Sequence, residues 1–446
     1  MRSYARKRRH RMRPAEFKRR RKQLMRMMGA GSIAILPTAP ESVRNRDVHF
    51  PYRADSDFYY LTGFPEPEAV VVLIPGRKQA EYILFCRERD PKKEQWDGSR
   101  AGQEGAVETY GADDSFPIGD LDDILPRMLE QCERVFYSMG CNAELDQRLS
   151  SWISRIRCQS RSGLQGPLEI VALDHYLHDI RLYKSRSEIK AMRDAARISA
   201  RGHKRLMQRC RPGLREYQLE AEFIAVCGDA GARYQAYPPI VGGGDNACVL
   251  HYIDNQDPLK EGDLVLIDAG CELDYYASDI TRSYPVNGVF SKPQRQLYEL
   301  VLAAQKAAIA QVKPGNSWEA PHQAAVRAIT RGLVKLGLLK GTPAKLIREE
   351  KYKKFYPHKT GHWLGMDVHD VGDYKVDGEW RLLEPGMALT IEPGLYIPAN
   401  SSGVAKKWWG IGIRIEDDLV VTKGGHEILS KDAPKEIDEI EALMAE

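Results

Sequence analysis

Three histidines fall within one short stretch, YPHKTGHWLGMDVHDVG (356–372), at positions 358, 362 and 369. Imidazole binds metals, moves protons near neutral pH and also sits quietly in cores, so these histidines acquire meaning only from the carboxylates they meet. The most informative acidic segment is DLVLIDAGCELDYYASDITRSYPV (263–286). Val265 to Ile267 read as an apolar strand that delivers Asp268 at its end, and a turn around Leu273-Asp274 sends the chain back. A two-residue loop there sets Asp268 directly opposite Asp279, with Cβ atoms about 5 Å apart. Two carboxylates facing each other from an apolar hairpin repel, and they require a shared proton or a cation between them.

Two further carboxylates stand in strand-like runs. Glu392 precedes Pro393-Gly394 in MALTIEPGLYI (387–397), and Glu416 lies in GIGIRIEDDLVV (410–421). Arg414 falls two positions before Glu416 on the same strand face. A simple ion pair between them is an equal reading of that arginine. Four carboxylates with one or more histidines suit divalent ions such as Mn²⁺, Zn²⁺ or Co²⁺. More carboxylates than one ion needs points to two ions, about 3.5–4 Å apart. Such a pair generates a nucleophile from water near neutral pH and polarises a carbonyl, and its usual outcome is hydrolysis of an amide or a phosphate ester. Aspartic-protease chemistry also pairs carboxylates, but its D-T/S-G loops are absent. No H-E-x-x-H occurs, and positions 362 and 369 are too far apart for one helical turn.

The elements that must hold these residues read as two regions. SIAILP (32–37), AVVVLIP (69–75), EYILFC (81–86) and RVFYSMG (134–140) read as strands, and DLDDILPRMLEQC (120–132) as a helix. This alternation predicts an α/β N-terminal domain over residues 16–180, preceded by a basic flexible arm, 1–15. A long helical pattern begins in 181–210, with a helix start at Ser187-Glu188. Helix pairs followed by antiparallel strands then occur twice, predicting an α+β domain over 181–446 with internal pseudo-two-fold symmetry.

Composition narrows the class. No apolar run is long enough to span a membrane. The net charge of +4 hides an asymmetry: residues 1–28 carry thirteen Lys/Arg against one Glu, leaving the remainder at about −8. Phe17, Leu24 and Met28 share a helical face while Arg19, Lys22 and Arg26 project elsewhere, which describes a solvated surface helix. No apolar segment of a secretory signal follows the positive start, and no aromatic-basic motif accompanies it, so nucleic acid is not an expected partner. Eight widely spaced cysteines without a C-x-x-C pair fit free thiols in a reducing compartment, which makes the cytoplasm the expected location.

Asp268, Asp279 eleven residues on, His362 in GHWLG, Glu392 in IEPG and Glu416 in RIED occur in that order. This resembles the ligand set of the pita-bread metallopeptidases, which include methionine aminopeptidase, prolidase and aminopeptidase P. The resemblance implies that Asp268 and Asp279 hold one ion, that Asp279 and Glu416 bridge, and that His362 with Glu392 completes the second site. Two Mn²⁺ ions are then expected, with Zn²⁺ or Co²⁺ as alternatives. VLHYIDN (249–255), DITRSYPVNG (279–288), HWLGMDVHDVG (362–372) and RNRDVHFPYRADSDFYYLTGFPEPEAVVVL (44–73) look like the aminopeptidase P branch over nearly the whole chain. That branch removes the first residue of peptides with proline second.

It further implies that His251, His358 and His369 face the substrate, that Tyr396 and Arg414 shape its pocket, and that Glu392 also serves as proton acceptor. Trp96, in the loop-like DPKKEQWDGSRAG, resembles an aromatic that reaches a neighbouring subunit's site, in keeping with a homodimer or homotetramer. Pro357 and Lys359 depart from the family pattern around His358, and Lys359 brings a charge to the substrate entrance. Histidines 10, 49, 175, 178, 203, 322 and 426 have surface or structural roles in this reading. A prolidase acting on Xaa-Pro dipeptides shares all five ligands and is the alternative. A non-catalytic pita-bread module that binds peptides or histones typically loses ligands, which are all present here.

Overall fold

The computed structural model describes residues 12–446 and divides into two compact units between Ile180 and Arg181. The first eleven residues of the basic arm lie outside the described residues.

The first unit is built on a six-stranded mixed sheet. Ser32–Pro37 lies inside it, antiparallel to Val70–Leu73 and parallel to Arg134–Phe136. Tyr82–Cys86 and Asp114–Pro117 extend one side, and Glu169–Val171 the other. The strands are short and Val/Ile-rich, and their buried side chains pack against helices Leu121–Leu129 and Ala143–Cys158. This is the α/β arrangement expected.

Helix Pro14–Met28 buries Phe17, Leu24 and Met28 and leaves Arg19, Lys22 and Arg26 exposed, as its periodicity predicts. Arg20 and Arg21 are buried as well. Arg20 lies 3.9 Å from the Tyr60 ring centroid and donates to the Tyr60 carbonyl; Arg21 lies 3.8 Å from that of Tyr82 and donates to Leu61. Cation–π contact and carbonyl acceptors replace the water these guanidiniums give up. Part of the basic charge near the N-terminus is therefore structural. A second difference concerns Trp96, which sits on a short helix, Pro91–Asp97, capped by Asp90, rather than in a loop.

The second unit repeats a pattern. Helices Arg186–Arg209 and Glu216–Asp229 precede an antiparallel sheet of Ile240–Gly243, Leu264–Asp268 and Thr281–Pro285. Helices Lys292–Ile309 and Glu319–Lys335 precede a second one, of Ala388–Ile391, Asp417–Thr422 and Gly425–Ile428. Strands Gly394–Ile397 and Ile411–Arg414 pair beside it. One continuous apolar core joins the helices to the sheets. The first helix starts two residues earlier than the sequence suggests. Ser185 and Glu188 form the capping box, each side chain accepting from the other's backbone N–H.

His203, on that first helix, is fully buried against Phe223, and its Nε2–H donates to the Ala269 carbonyl at 3.0 Å, just beyond Asp268. Burial pushes its pKa down to about 4, so the folded protein keeps it neutral. The unfolded chain protonates it near 6.5 and the folded protein does not, so stability falls as pH drops between those values, by about 3 kcal/mol in total. Urea unfolding of wild type and His203→Gln at pH 7.5, 6 and 5 should show their stabilities converging as pH falls. A constant gap would remove His203 as the source.

Candidate active site

Local pairing brings the five candidate ligands together. Leu264–Asp268 pairs with Thr281–Pro285 in a register that sets Asp268 opposite Thr281, not Asp279. The two-residue loop is Asp274-Tyr275, one position later than the sequence suggests, and both residues have positive φ, as this hairpin turn demands. Asp279 is thus a diagonal neighbour of Asp268. Close approach at this end of the hairpin needs Gly270, where an added Cβ would lie 1.7 Å from the Ser278 carbonyl oxygen.

The two carboxylates meet through a residue that spacing did not reveal. The Tyr237 hydroxyl lies 2.5 Å from Asp268 Oδ1 and 2.5 Å from Asp279 Oδ1. A hydroxyl has one proton to donate, so it cannot satisfy both at once. Nothing in ARYQAYPPIVG marks Tyr237 as functional, since it precedes its strand without a motif.

The second half supplies the remainder. Segment 360–364 runs beside Ala388–Ile391: Thr390 N–H donates to His362 O and Glu392 N–H to Thr360 O. Gly361 permits this, because a Cβ there would lie 2.0 Å from the Thr390 carbonyl oxygen. His362 Nδ1–H donates to the Trp363 carbonyl at 2.9 Å, which fixes the tautomer and frees Nε2. That nitrogen lies 3.3 Å from Asp279 Oδ2 and 3.6 Å from Glu392 Oε1. Glu416 is tied to the first half through its backbone N–H to Thr281 O, and its Oε2 accepts from the Thr281 hydroxyl at 2.6 Å. Donor atoms of Asp279, His362 and Glu416 all lie within 4.8 Å of one another.

Electrostatics make this cluster unusual. Burial, then Asp279, Glu392 and Asp268, raise Glu416 well above the carboxylate range. Burial likewise raises Asp268, with Arg414 opposing, and pushes Glu392 up to about 7. Burial works against charge on His362, but the Asp279 hydrogen bond and the charge of Glu392 outweigh it and raise its pKa to about 9. The same pairing outweighs burial at Asp279 and holds it low. Three buried carboxylates and the partly buried Glu392, with one imidazole in reach, constitute an excess of negative charge that divalent cations relieve, and oxygen-rich donors with a single nitrogen fit them.

Around the carboxylates the other candidates take distinct places. Arg414 is buried and pairs with Asp268, Nη2 to Oδ2 at 2.6 Å, rather than forming its hydrogen bond with neighbouring Glu416. Its Nη1 donates to the Tyr396 hydroxyl, which lies 2.9 Å from His358 Nε2. His358 Nδ1–H donates to the Lys359 carbonyl, so Nε2 accepts from Tyr396. Burial pushes His358 down to about 3 and keeps it neutral. His369 stacks edge-on to His362, with ring centroids 4.4 Å apart. His251 is exposed. Lys359 is paired with Glu319 at 3.3 Å, which offsets its charge. His322 is half-buried and bonds Thr360 Oγ1 at 2.8 Å, a structural role beside the site. Trp96 belongs to the first unit and is 88% exposed.

Comparison with known proteins agrees with this geometry. The profile described as Metallopeptidase family M24 matches residues 190–423, and that described as Aminopeptidase P, N-terminal domain, matches residues 17–137. The chain is 45% identical to the Xaa-Pro aminopeptidase of Escherichia coli K12, over 96% of this chain and 97% of that protein. It is 35% identical to Xaa-Pro aminopeptidase 3 of Homo sapiens, over 97% and 86% respectively. Among solved structures, Pseudomonas aeruginosa aminopeptidase PepP superposes with TM-score 0.97 at 60% identity, covering 98% of this chain and 99% of that one. A zinc-substituted Escherichia coli aminopeptidase P in complex with product gives 0.95 at 44% identity, covering 98% and 99%.

Proposed function

The chain belongs to the aminopeptidase P branch of metallopeptidase family M24, with the pita-bread catalytic domain of that family, and from that premise we propose how its residues carry the reaction. It is a metallo-exopeptidase that hydrolyses the bond between an N-terminal residue and a following proline. The observation that carries the reading is the joined cluster itself: Asp268 and Asp279 meeting at Tyr237, Asp279 and Glu392 meeting at His362, and Glu416 beside them.

Asp268, Asp279, His362, Glu392 and Glu416 would hold two divalent ions, and Mn²⁺ is supported over Zn²⁺ or Co²⁺ by a donor set with four carboxylates and one imidazole. When bound, such ions supply Lewis-acid polarisation of the scissile carbonyl and lower the pKa of water. The protein's groups do the rest. The Trp363 carbonyl, accepting from Nδ1–H, aims His362 Nε2 at the cluster, where that nitrogen would lose its proton to serve as a ligand. Arg414 and Thr281 orient Asp268 and Glu416. Glu392 takes a proton from the attacking water and returns it to the leaving proline nitrogen. His251 and His369 face the scissile region. A proline nitrogen in a peptide offers no N–H, so it is recognised by ring contact and shape, and the adjoining rings of His358 and Tyr396 support a role in that contact.

The remaining assignments are supported more indirectly. A helix with no buried residue carrying an 88% exposed Trp96 supports contact with another subunit, in a homodimer or homotetramer. Eight unpaired cysteines support the cytoplasm. Among the described residues no helix is long and apolar enough to cross a membrane. Peptides with proline second are the substrates.

A matched assay tests the activity. Metal-stripped protein should cleave neither Xaa-Pro-Yaa nor Xaa-Pro, and restoring Mn²⁺ should return tripeptide cleavage with little dipeptide cleavage. Preference for the dipeptide would establish a prolidase; failure on both by fully metallated protein would sink the enzyme reading.

A further inference from the structure

His251 lies in a segment of irregular chain between strands, residues 244–263, with no regular element to hold it beyond a single 3-10 turn. What holds the segment is a carboxylate that the reaction does not use. Glu216, the first residue of helix Glu216–Asp229, is fully buried, and among the described residues it forms no ion pair. Its Oε1 accepts from Gly243 N–H at 2.8 Å and from Asn246 Nδ2 at 3.0 Å. Its Oε2 accepts from the Tyr252 hydroxyl at 2.8 Å and from Asp257 N–H at 2.9 Å. One turn along the helix, Glu220 accepts from Asn255, a buried residue in the left-handed region, whose Oδ1 in turn accepts from Val241 N–H.

Burying an anion without a cation is costly, and a satisfied neutral group would stabilise the fold at less expense. A carboxylate differs from an amide in accepting four hydrogen bonds at once, which is the task here. The four donors lie before, on either side of and after His251. Between them, exposure alternates: Val249, His251 and Ile253 are exposed, while Leu250 and Tyr252 pack on the small cluster that contains Tyr396. The inner residues of the segment thus rest on the wall of the site, and the outer ones include the imidazole.

We propose that Glu216 is a positioning residue for peptide hydrolysis: by gripping residues 243–257 at four points it sets where His251 stands against the substrate. It touches neither substrate nor the metal-binding side chains. The inference rests on the aminopeptidase reading and on His251 facing the substrate.

The test is a double-mutant cycle on the Mn²⁺-loaded enzyme with an Xaa-Pro-Yaa peptide, using Glu216→Gln, His251→Ala and the pair. Glu216→Gln should lower kcat/KM about 10- to 100-fold, as supporting hydrogen-bond partners of a site do, with bound Mn²⁺ unchanged. In the His251→Ala background the same change should cost less than about 3-fold, because the group being positioned is gone. Tyr252→Phe removes one donor without charge and serves if Glu216→Gln fails to fold; its smaller loss should likewise vanish without His251. Equal losses in both backgrounds would mean that Glu216 is only structural and would overturn the proposal. So would an unchanged rate in His251→Ala while wild type cleaves normally. Wild type that cleaves no peptide would bring down the aminopeptidase reading and this proposal together.

Discussion

Asp279→Asn should abolish Xaa-Pro cleavage, with kcat/KM falling at least about 1000-fold, about 4 kcal/mol of transition-state stabilisation. Asp279 lies 3.3 Å from His362 Nε2, shares Tyr237 with Asp268, and groups with Glu416. Its own backbone N–H is held by the Asp418 carboxylate at 3.1 Å, so the side chain is aimed rather than free to swing. Asparagine keeps the volume and removes the charge, and its NH₂ cannot serve as an anionic ligand to two ions. Metal content should therefore fall from two ions per chain to one or fewer, measured by elemental analysis after equilibration in Mn²⁺. Retention of both ions with a tenth or more of wild-type activity would remove Asp279 from the bridging position.

How far the chain itself discloses this site can be judged residue by residue. The four carboxylates were legible because each stands at or beside the end of a buried apolar strand, where an unpaired charge has no bland explanation. The register of Asp268 and Asp279 is hidden in the sequence because the turn residues are Asp274 and Tyr275. Tyrosine in a left-handed conformation is uncommon, and the usual Asn-Gly or Asp-Gly signature is missing. Tyr237 was missed for a different reason. Its partners are 31 and 42 residues away, and only the folded sheet brings its hydroxyl to both carboxylates. The pairing of Arg414 with Asp268 was hidden in the same way, since the neighbouring Glu416 is the partner that strand periodicity suggests. Arg20 and Arg21 show the limit of charge patterning: a basic helix reads as solvated unless aromatic rings happen to receive its guanidiniums. Periodicity reports which face is apolar, and it says nothing of which long charged side chains find buried acceptors.

The largest effect on stability should come from Asp370→Asn. Asp370 follows His369 and is buried with two cations. Arg181 Nη2 lies 2.6 Å from Oδ1 and Lys184 Nζ lies 2.9 Å from Oδ2, with all three side chains almost wholly out of water. Burial opposes its ionisation, but Lys184 and Arg181 outweigh it and hold Asp370 below the usual carboxylate range. Arg181 also reaches Asp367 at 2.8 Å and keeps that partner in the variant, whereas Lys184 loses its carboxylate. Leaving a buried ammonium uncompensated costs about 3–5 kcal/mol, to be read from urea unfolding at pH 7. Because the folded pKa is depressed, the contribution of Asp370 is present above its unfolded value near 4 and is lost as pH falls through the lower folded value; the gap between wild type and variant should close in that range. Replacing the triad together, as Arg181→Met, Lys184→Met and Asp370→Leu, should recover most of the loss, since it removes the orphaned charge along with the pair. Failure to recover would locate the cost in packing of the segment that carries His369 instead. The rate should separate the two roles of this triad. If Asp370 also holds His369 against His362, the refolded triple variant regains stability and not kcat, because apolar side chains can fill the space but cannot fix the position of the imidazole.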